Sequence, residues 1–357
     1  MRPDWGRLKA VVLESDDWGL CAWSADDEAY RILAATPVFA RPAGRVYGRS
    51  TLESAADVRA LRETLLEFRG ADGSPPVWQA NTVVASPDYE RLAREGFEVD
   101  EPPLVLLPET PSRWQRPGLW AEVRESIAAG VWWPELHGLH HLPGRAWLEA
   151  LRRGAADARL AFTQQCPVCE AVEASGEYDA SEPVASRERS LEQAFALFTR
   201  LFGRPPGSLC PPDYRWDAVL EAQASRLGVT VLQGAAERAG CCWPRARRLL
   251  HRWRLPESRG GLLRMPPRIA FEPRGDAAPG SRLGAGRTRA AVHAAWGRGQ
   301  PAVVSSHRHN YAHLDAAWSE AGRTALRDLL RGLCKDGAVF LTDARVHDLA
   351  AGGRRPA

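Results

Sequence analysis

The stretch VVLESDDWGL, Val11–Leu20, is an apolar, strand-like run that ends in two adjacent aspartates, a tryptophan and a glycine. Two like charges at the mouth of a buried element raise the free energy unless a cation, a hydrogen-bond network or a raised pKa relieves them. Asp16, Asp17 and Gly19 are also ordinary turn residues. By itself the stretch therefore fits either a solvated turn or a site at the carboxyl end of a parallel strand. Partners elsewhere in the chain must decide.

Similar short apolar runs recur at residues 9–15, 77–84, 131–136, 208–211, 229–233, 262–266, 302–306 and 338–342, with a further strand candidate at 38–46. Amphipathic stretches alternate with them at 54–68, 145–153, 187–202, 216–227, 288–298 and 316–334, the first opening on the capping-friendly TLESAAD. This βα alternation, over 357 residues of which 45% are hydrophobic, predicts an α/β fold. A distorted (β/α) barrel of seven to eight strands fits better than an open sheet. Residues 160–183 and 273–287 read as insertions or lids. No linker divides the chain, so 1–357 is expected to form a single catalytic domain.

The net charge of +3 comes from 47 basic and 44 acidic residues, and every basic residue except Lys9 and Lys335 is arginine. Interspersed charge of both signs is a mixed surface, which argues against a nucleic-acid partner. No run approaches the roughly 20 apolar residues of a membrane span. The polar start leads directly into the first strand without an apolar leader, so a cytoplasmic location is expected. Seven cysteines form an odd set, which suggests mostly free thiols. Cys166 and Cys169 could join Cys241 and Cys242 in a structural zinc site, although a single CxxC is a weak signal.

Two further clusters carry chemistry. In ELHGLHHL, His137 and His141 lie four residues apart; on a helical turn that spacing puts both imidazoles on one face, within reach of one metal ion, and leaves His140 as a surface bystander. In AVVSSHRHNYAH, His307 falls at the mouth of an apolar run, while His309 and His313 follow in a loop where surface positions are expected. Asp-Asp, His-x-x-x-His and Ser-Ser-His at three strand ends make up the inventory of a metal-assisted hydrolase: ligands, a base and an acid. One aspartate can hold a cation while its neighbour takes a proton.

ESDDWG, HGLHH and VVSSHRHNY resemble, in type, order and spacing, the motifs of the polysaccharide deacetylases of the NodB-homology type. The likeness is closer to a subgroup that opens with the same Glu-Ser-Asp-Asp-Trp-Gly string, and TLESAADVRAL, ANTVVASPDYERLAREGF, CPPDYRWD and FEP look like it too. Resemblance runs from about Lys9 to Asp343. It implies a polysaccharide-deacetylase-like barrel with Asp17, His137 and His141 as metal ligands, Asp16 as general base and His307 as general acid. The third family motif usually carries an arginine before Pro-x-Tyr; here the position holds Cys210, so the usual partner of the catalytic aspartate comes from elsewhere or is absent.

The activity implied is metal-dependent removal of an N-acetyl group from an amino-sugar-containing substrate: a soluble glycoside, nucleotide sugar, glycolipid precursor or natural product. The cofactor is one divalent ion, zinc first, with nickel, cobalt or manganese as alternatives. Asn81 at a strand end, Tyr214, Trp216 and Trp18 are the candidate substrate-binding residues. Trp18, Trp132, Trp133 and Trp216, near proposed strand ends, suit sugar stacking, and suit an ordinary core equally well. Competing readings are hydrolysis of a non-sugar amide, such as a cyclic imide or ureide, and a silent carbohydrate-binding barrel.

Overall fold

The computed structural model describes residues 3–173, 176–234, 257–259, 262–275 and 284–352. Twelve strands are formed: β1 (Ala10–Trp18), β2 (Trp78–Thr82), β3 (Ala85–Pro87), β4 (Leu104–Leu106), β5 (Trp132–Leu136), β6 (Ser208–Leu209), β7 (Val231–Leu232), β8 (Glu257–Arg259), β9 (Leu262–Arg264), β10 (Ile269–Ala270), β11 (Ala302–His307) and β12 (Val339–Phe340). The main sheet runs β10-β11-β1-β2-β5-β6-β7-β9-β8, with β12 also paired to β1 and a separate β3–β4 hairpin. All its neighbours are parallel except β8 and β9. Eight parallel strands from β10 round to β9 thus form a curled half-barrel with helices on its outer face, the α/β architecture expected.

The two ends of the parallel ladder are neighbours in sequence. β9 pairs with β7 and β10 pairs with β11, and only Met265–Arg268 separates them. Pro266 and Pro267 in this link have no N–H to give to a ladder, so the curl is bridged here by covalent chain, not by hydrogen bonds.

Strand periodicity sorts the barrel into layers. On β1, Val11 and Leu13 face outward into the cluster that contains Trp78, Ala80 and Leu326. Val12 joins Val231, Leu263 and Val303 in an apolar floor. Above that floor lie buried polar groups: Gln79 donates to Asp343 at 2.7 Å, and burial raises the carboxyl of Asp343 to about 6 and that of its neighbour Glu14 well above the usual range. Asp16 is the next inward residue, at the mouth.

The helix at Ala55–Leu66 carries the expected capping box, with Ser54 Oγ accepting from Asp57 N–H at 3.2 Å and Asp57 accepting from Ser54 N–H at 3.0 Å. The strand expected at 38–46 is instead two short helices, Pro37–Ala40 and Pro42–Tyr47. Each opens on a proline, whose fixed φ suits a first helical turn and whose missing N–H costs nothing there. No helix among the described residues is long and apolar enough to cross a membrane.

A buried ion pair ties the β1 mouth to the β11 mouth. Arg308, 1% exposed, donates to Leu20 O at 2.8 Å and to Glu53 at 3.1 Å, and Glu53 in turn accepts from Gly19 N–H at 3.0 Å. Removing one partner leaves a buried charge uncompensated, so Arg308→Met should destabilise the fold by about 3–5 kcal/mol. Chemical denaturation checks this, and the Arg308→Met/Glu53→Gln double variant should recover much of the loss.

Candidate active site

A regular strand points successive side chains to opposite faces, so two adjacent aspartates cannot both serve one mouth without an irregularity. The β1–β2 register shifts between Ser15 and Trp18, a bulge, and Asp17 takes φ +74°. Gly19 follows at φ +76°, where a Cβ would lie 2.6 Å from Val83 O. The bulge turns both carboxylates toward one pocket of about 260 Å³, which His137, His141, Tyr214 and His307 also line.

His137 and His141 do not share a helical face. They stand in a loop after β5 that turns through Gly138 (φ +85°), with His141 itself at φ +59°. The loop is wrapped around one buried carboxylate: Glu177 accepts from the N–H groups of Leu139, His140 and His141 at 3.0, 3.2 and 2.8 Å, and from the Ser190 hydroxyl. Burial opposes its charge, yet His140, Ser190 and these amides hold Glu177 below the usual carboxylate range. A Cβ on Gly138 would fall 2.6 Å from Glu177 Oε2, so only glycine fits. Part of the 160–183 insertion is therefore the pin that shapes the two-histidine loop.

Asp17, His137 and His141 form a cradle with ligand atoms all within 4.8 Å of one another. His137 Nε2 and His141 Nε2 lie 3.4 and 3.6 Å from Asp17 Oδ1. Bonds of about 2.0–2.1 Å at tetrahedral angles separate ligand atoms by about 3.3–3.4 Å, so this donor set fits a zinc-sized cation. His137 Nδ1 lies 2.8 Å from Cys210 O, which fixes the ring and leaves Nε2 for the cation. Asp16, His137 and Cys210 form a second possible triplet. It is the weaker one, because burial and the Asp16 charge push the Cys210 thiol well above its ordinary pKa.

Asp16, 1% exposed, accepts from Asn81 Nδ2 at 2.6 Å and from the Tyr214 hydroxyl. Arg268 approaches it at 3.4 Å while donating to Tyr214 and to Ser305 Oγ, the latter at 3.0 Å. Burial raises its pKa, but His137, His307, Arg268 and Tyr214 together bring it below the usual value, so Asp16 is held ionised. Arg268, from the link between β9 and β10, thus supplies beside Asp16 the guanidinium that Cys210 does not. Asn81 is fully buried and pairs reciprocally with Gln233 at 2.7 and 2.9 Å, so it supports Asp16 and has no surface for a substrate.

His307 pairs with Asp16 in the β1–β11 register, and its Nε2 lies 3.9 Å from Asp16 Oδ2. Its Nδ1 lies 2.7 Å from Glu272, whose other oxygen accepts from Asn310 at 2.6 Å. Burial works against the imidazolium, but Glu272, Asp16 and Asp17 outweigh it and raise His307 to about 10. At neutral pH the pocket therefore holds an ionised acid and a protonated imidazole close together.

Other expected positions fall differently. His309 is buried, its Nε2 2.9 Å from Gly275 O, and burial pushes it down to about 4. His140 is also buried and lines a separate cavity of about 540 Å³ beside Glu177. His313 stacks on Trp318 at 4.7 Å. Trp18 is core, edge-on to Trp132 at 4.6 Å with its N–H on Ser15 Oγ, and Trp216 is buried beside the Asp217 cap of the helix Ala218–Arg226. Trp132 and Trp133 start β5, at the end away from the mouth, and Arg204 lies 4.1 Å over the Trp133 ring. None of these four tryptophans lines the pocket; its large rings are Trp23, Tyr47 and Tyr214. Cys166 and Cys169 are buried free thiols raised by burial to about 12 and 11, and Cys241 and Cys242 lie outside the described residues.

No protein-family model and no curated protein matches this chain. Solved structures similar to it include a protein assigned as a polysaccharide deacetylase from Mycobacterium smegmatis, at 14% identity and TM-score 0.48 over 98% of this chain and 94% of that one. A 4-alpha-glucanotransferase from Thermococcus litoralis is similar at 11% identity and TM-score 0.48, over 94% of this chain and 39% of that one. A family 4 carbohydrate esterase from Streptomyces lividans, solved with acetate, is similar at 12% identity and TM-score 0.35, over 93% and 91%.

Glu272 makes a titration testable. A raised histidine pKa contributes stability that is fully present below its ordinary 6.5 and is lost as pH rises through about 10. Glu272→Gln removes the largest favourable charge, so in metal-free protein the His307 ring should titrate at lower pH than in the wild type. NMR of the imidazole carbons reads both.

Proposed function

We propose that the chain belongs to the NodB-homology polysaccharide deacetylase superfamily, in the subgroup that opens with Glu-Ser-Asp-Asp-Trp-Gly, and that it is a metal-dependent deacylase. It releases a small acyl group, acetate in the first instance, from a nitrogen. The observation that carries this reading is the pairing of an ionised Asp16 and a protonated His307 within 3.9 Å beside a three-ligand cradle. A silent binding barrel has no need for two titrating groups held in opposite charge states around a common pocket.

When bound to Asp17, His137 and His141, a divalent cation supplies Lewis-acid chemistry, drawing charge from an acyl oxygen and acidifying water. Asp16 accepts a proton from water as the water oxygen bonds to the acyl carbon. His307 gives its proton to the nitrogen as the carbon–nitrogen bond breaks, so the products are a carboxylic acid and a neutral amine. Glu272 holds the His307 ring and supports its charge; Arg268 and Tyr214 do the same for Asp16. The amino-sugar substrate is the expectation that family resemblance supplies, and an acetate assay on N-acetylated glycosides tests it.

His137→Ala should lose the cation; a full equivalent of metal at unchanged affinity, by elemental analysis, would remove the cradle assignment. Asp16→Asn should keep fold and metal yet retain less than about a tenth of the wild-type rate, since an amide cannot take the proton. His307→Ala should lower kcat on an amide by about 10²-fold or more with little change in KM. On an activated aryl ester of the same acyl group the loss should be much smaller, because a phenolate leaves without a proton. Equal losses on both would assign His307 to positioning.

A further inference from the structure

The pocket beside the cradle is lopsided. One side is the polar constellation already described; the other is an apolar lobe formed by Leu20, Trp23, Val38 and Tyr47 from one flank and Val168 and Val172 from the 160–183 insertion. Arg41 joins the flanks through ion pairs with Glu170 and Glu173. The lobe begins at the general acid: the Tyr47 ring stands edge-on to His307 at 6.2 Å and stacks on Trp23 at 5.7 Å. Trp23 is set at φ +68°, a backbone conformation that a bulky side chain seldom adopts, and its ring also meets Phe39 at 5.4 Å. A strained residue beside a reacting group is a pointer to function.

Among the described residues, the charged side chains lining the pocket beyond the cradle, the base and the acid are Glu173 and Asp213, and Glu173 is already engaged by Arg41; the lobe itself adds only the Trp23 indole N–H and the Tyr47 hydroxyl as polar side-chain groups. A sugar ring entering this lobe would bring more hydroxyls than the described side chains there can match, which is unfavourable even when one face stacks on an aromatic ring. The volume of about 260 Å³ is small. It lies just below the roughly 300–1,000 Å³ of pockets that take drug-sized ligands, which favours a compact guest of single-ring size.

Because His307 serves the leaving nitrogen, the lobe that begins at His307 receives what that nitrogen carries. We infer that the preferred substrate is an N-acetylated amine whose substituent is compact and apolar, an aryl or branched alkyl group of single-ring size, and that Trp23 and Tyr47 select it. The inference rests on the deacylase reading above and narrows its substrate away from the amino sugar.

The test compares acetate release from N-acetylbenzylamine and N-acetylglucosamine by the metal-loaded chain, alongside saturation-transfer NMR of the same two compounds on metal-free protein. Trp23→Asn removes the ring and relieves the backbone, since asparagine tolerates positive φ. The benzylamide should be preferred in kcat/KM by about tenfold or more, and Trp23→Asn should erase most of that preference through KM while the thermal midpoint holds or rises. Preference for N-acetylglucosamine, or equal losses on both compounds with a lowered midpoint, overturns the inference and leaves the deacylase reading standing. If neither compound is hydrolysed, benzylamide binding that Trp23→Asn abolishes supports the lobe's selectivity while the deacylase reading fails. Absence of both turnover and binding overturns the two together.

Discussion

An ionised carboxylate with 1% of its surface exposed persists only if protein groups replace the water it has lost, and Asp16 is in that position. Its replacements come from all round the barrel: Asn81 from β2, Tyr214 from the loop after β6, Arg268 from the link between β9 and β10, and His307 from β11. Each contact crosses between segments distant in sequence, so the charge can be satisfied only when the curl has brought those strand ends together. The positions of His307, the cradle and the link between β9 and β10 are all bound up with this one requirement.

Much of this mouth was legible in the chain itself, because chemistry-bearing residues sat directly after short apolar runs at three places. A period-two apolar run announces a strand, and polar residues that follow it without a linker must lie at its end. The supporting groups were hidden for a physical reason: Glu177 sits in what reads as an insertion or lid, and Arg268 lies just beyond the apolar run at 262–266, where nothing in the sequence marks it. The roles of both residues depend on contacts made only in three dimensions. Glu272 did carry a signal, an acidic residue closing the run RIAFE in the same manner as the other mouths. The four-residue histidine spacing pointed to a shared ligand set but to the wrong local structure; a glycine turn and a buried carboxylate do the work assigned to a helix. Of the two readings open for the tryptophans near strand ends, the core one holds for Trp18 and Trp132, whose rings pack in the cluster outside the sheet.

Local backbone strain is concentrated where the chemistry is. Of the seven non-glycine residues with positive φ among the described residues, five (Asp17, Trp23, His141, Asp213 and Tyr214) line the 260 Å³ pocket. Such conformations cost on the order of 1–3 kcal/mol each, and they persist only when surrounding contacts over-determine them. The Glu177 amide cluster does this for His141, and the bulge in β1 does it for Asp17. Rigid placement of the side chains is gained at the expense of local backbone stability.

The two-proline link between β9 and β10 sets a different kind of limit. A barrel closed entirely by hydrogen-bonded ladders has its girth fixed by strand number and register stagger together. Where one joint is a tether of covalent chain, no ladder register is imposed at that joint. Arg268 rides on that tether. The segment that joins the two ends of the ladder is therefore also the one that carries a positive charge to Asp16, and a change in its length would displace both.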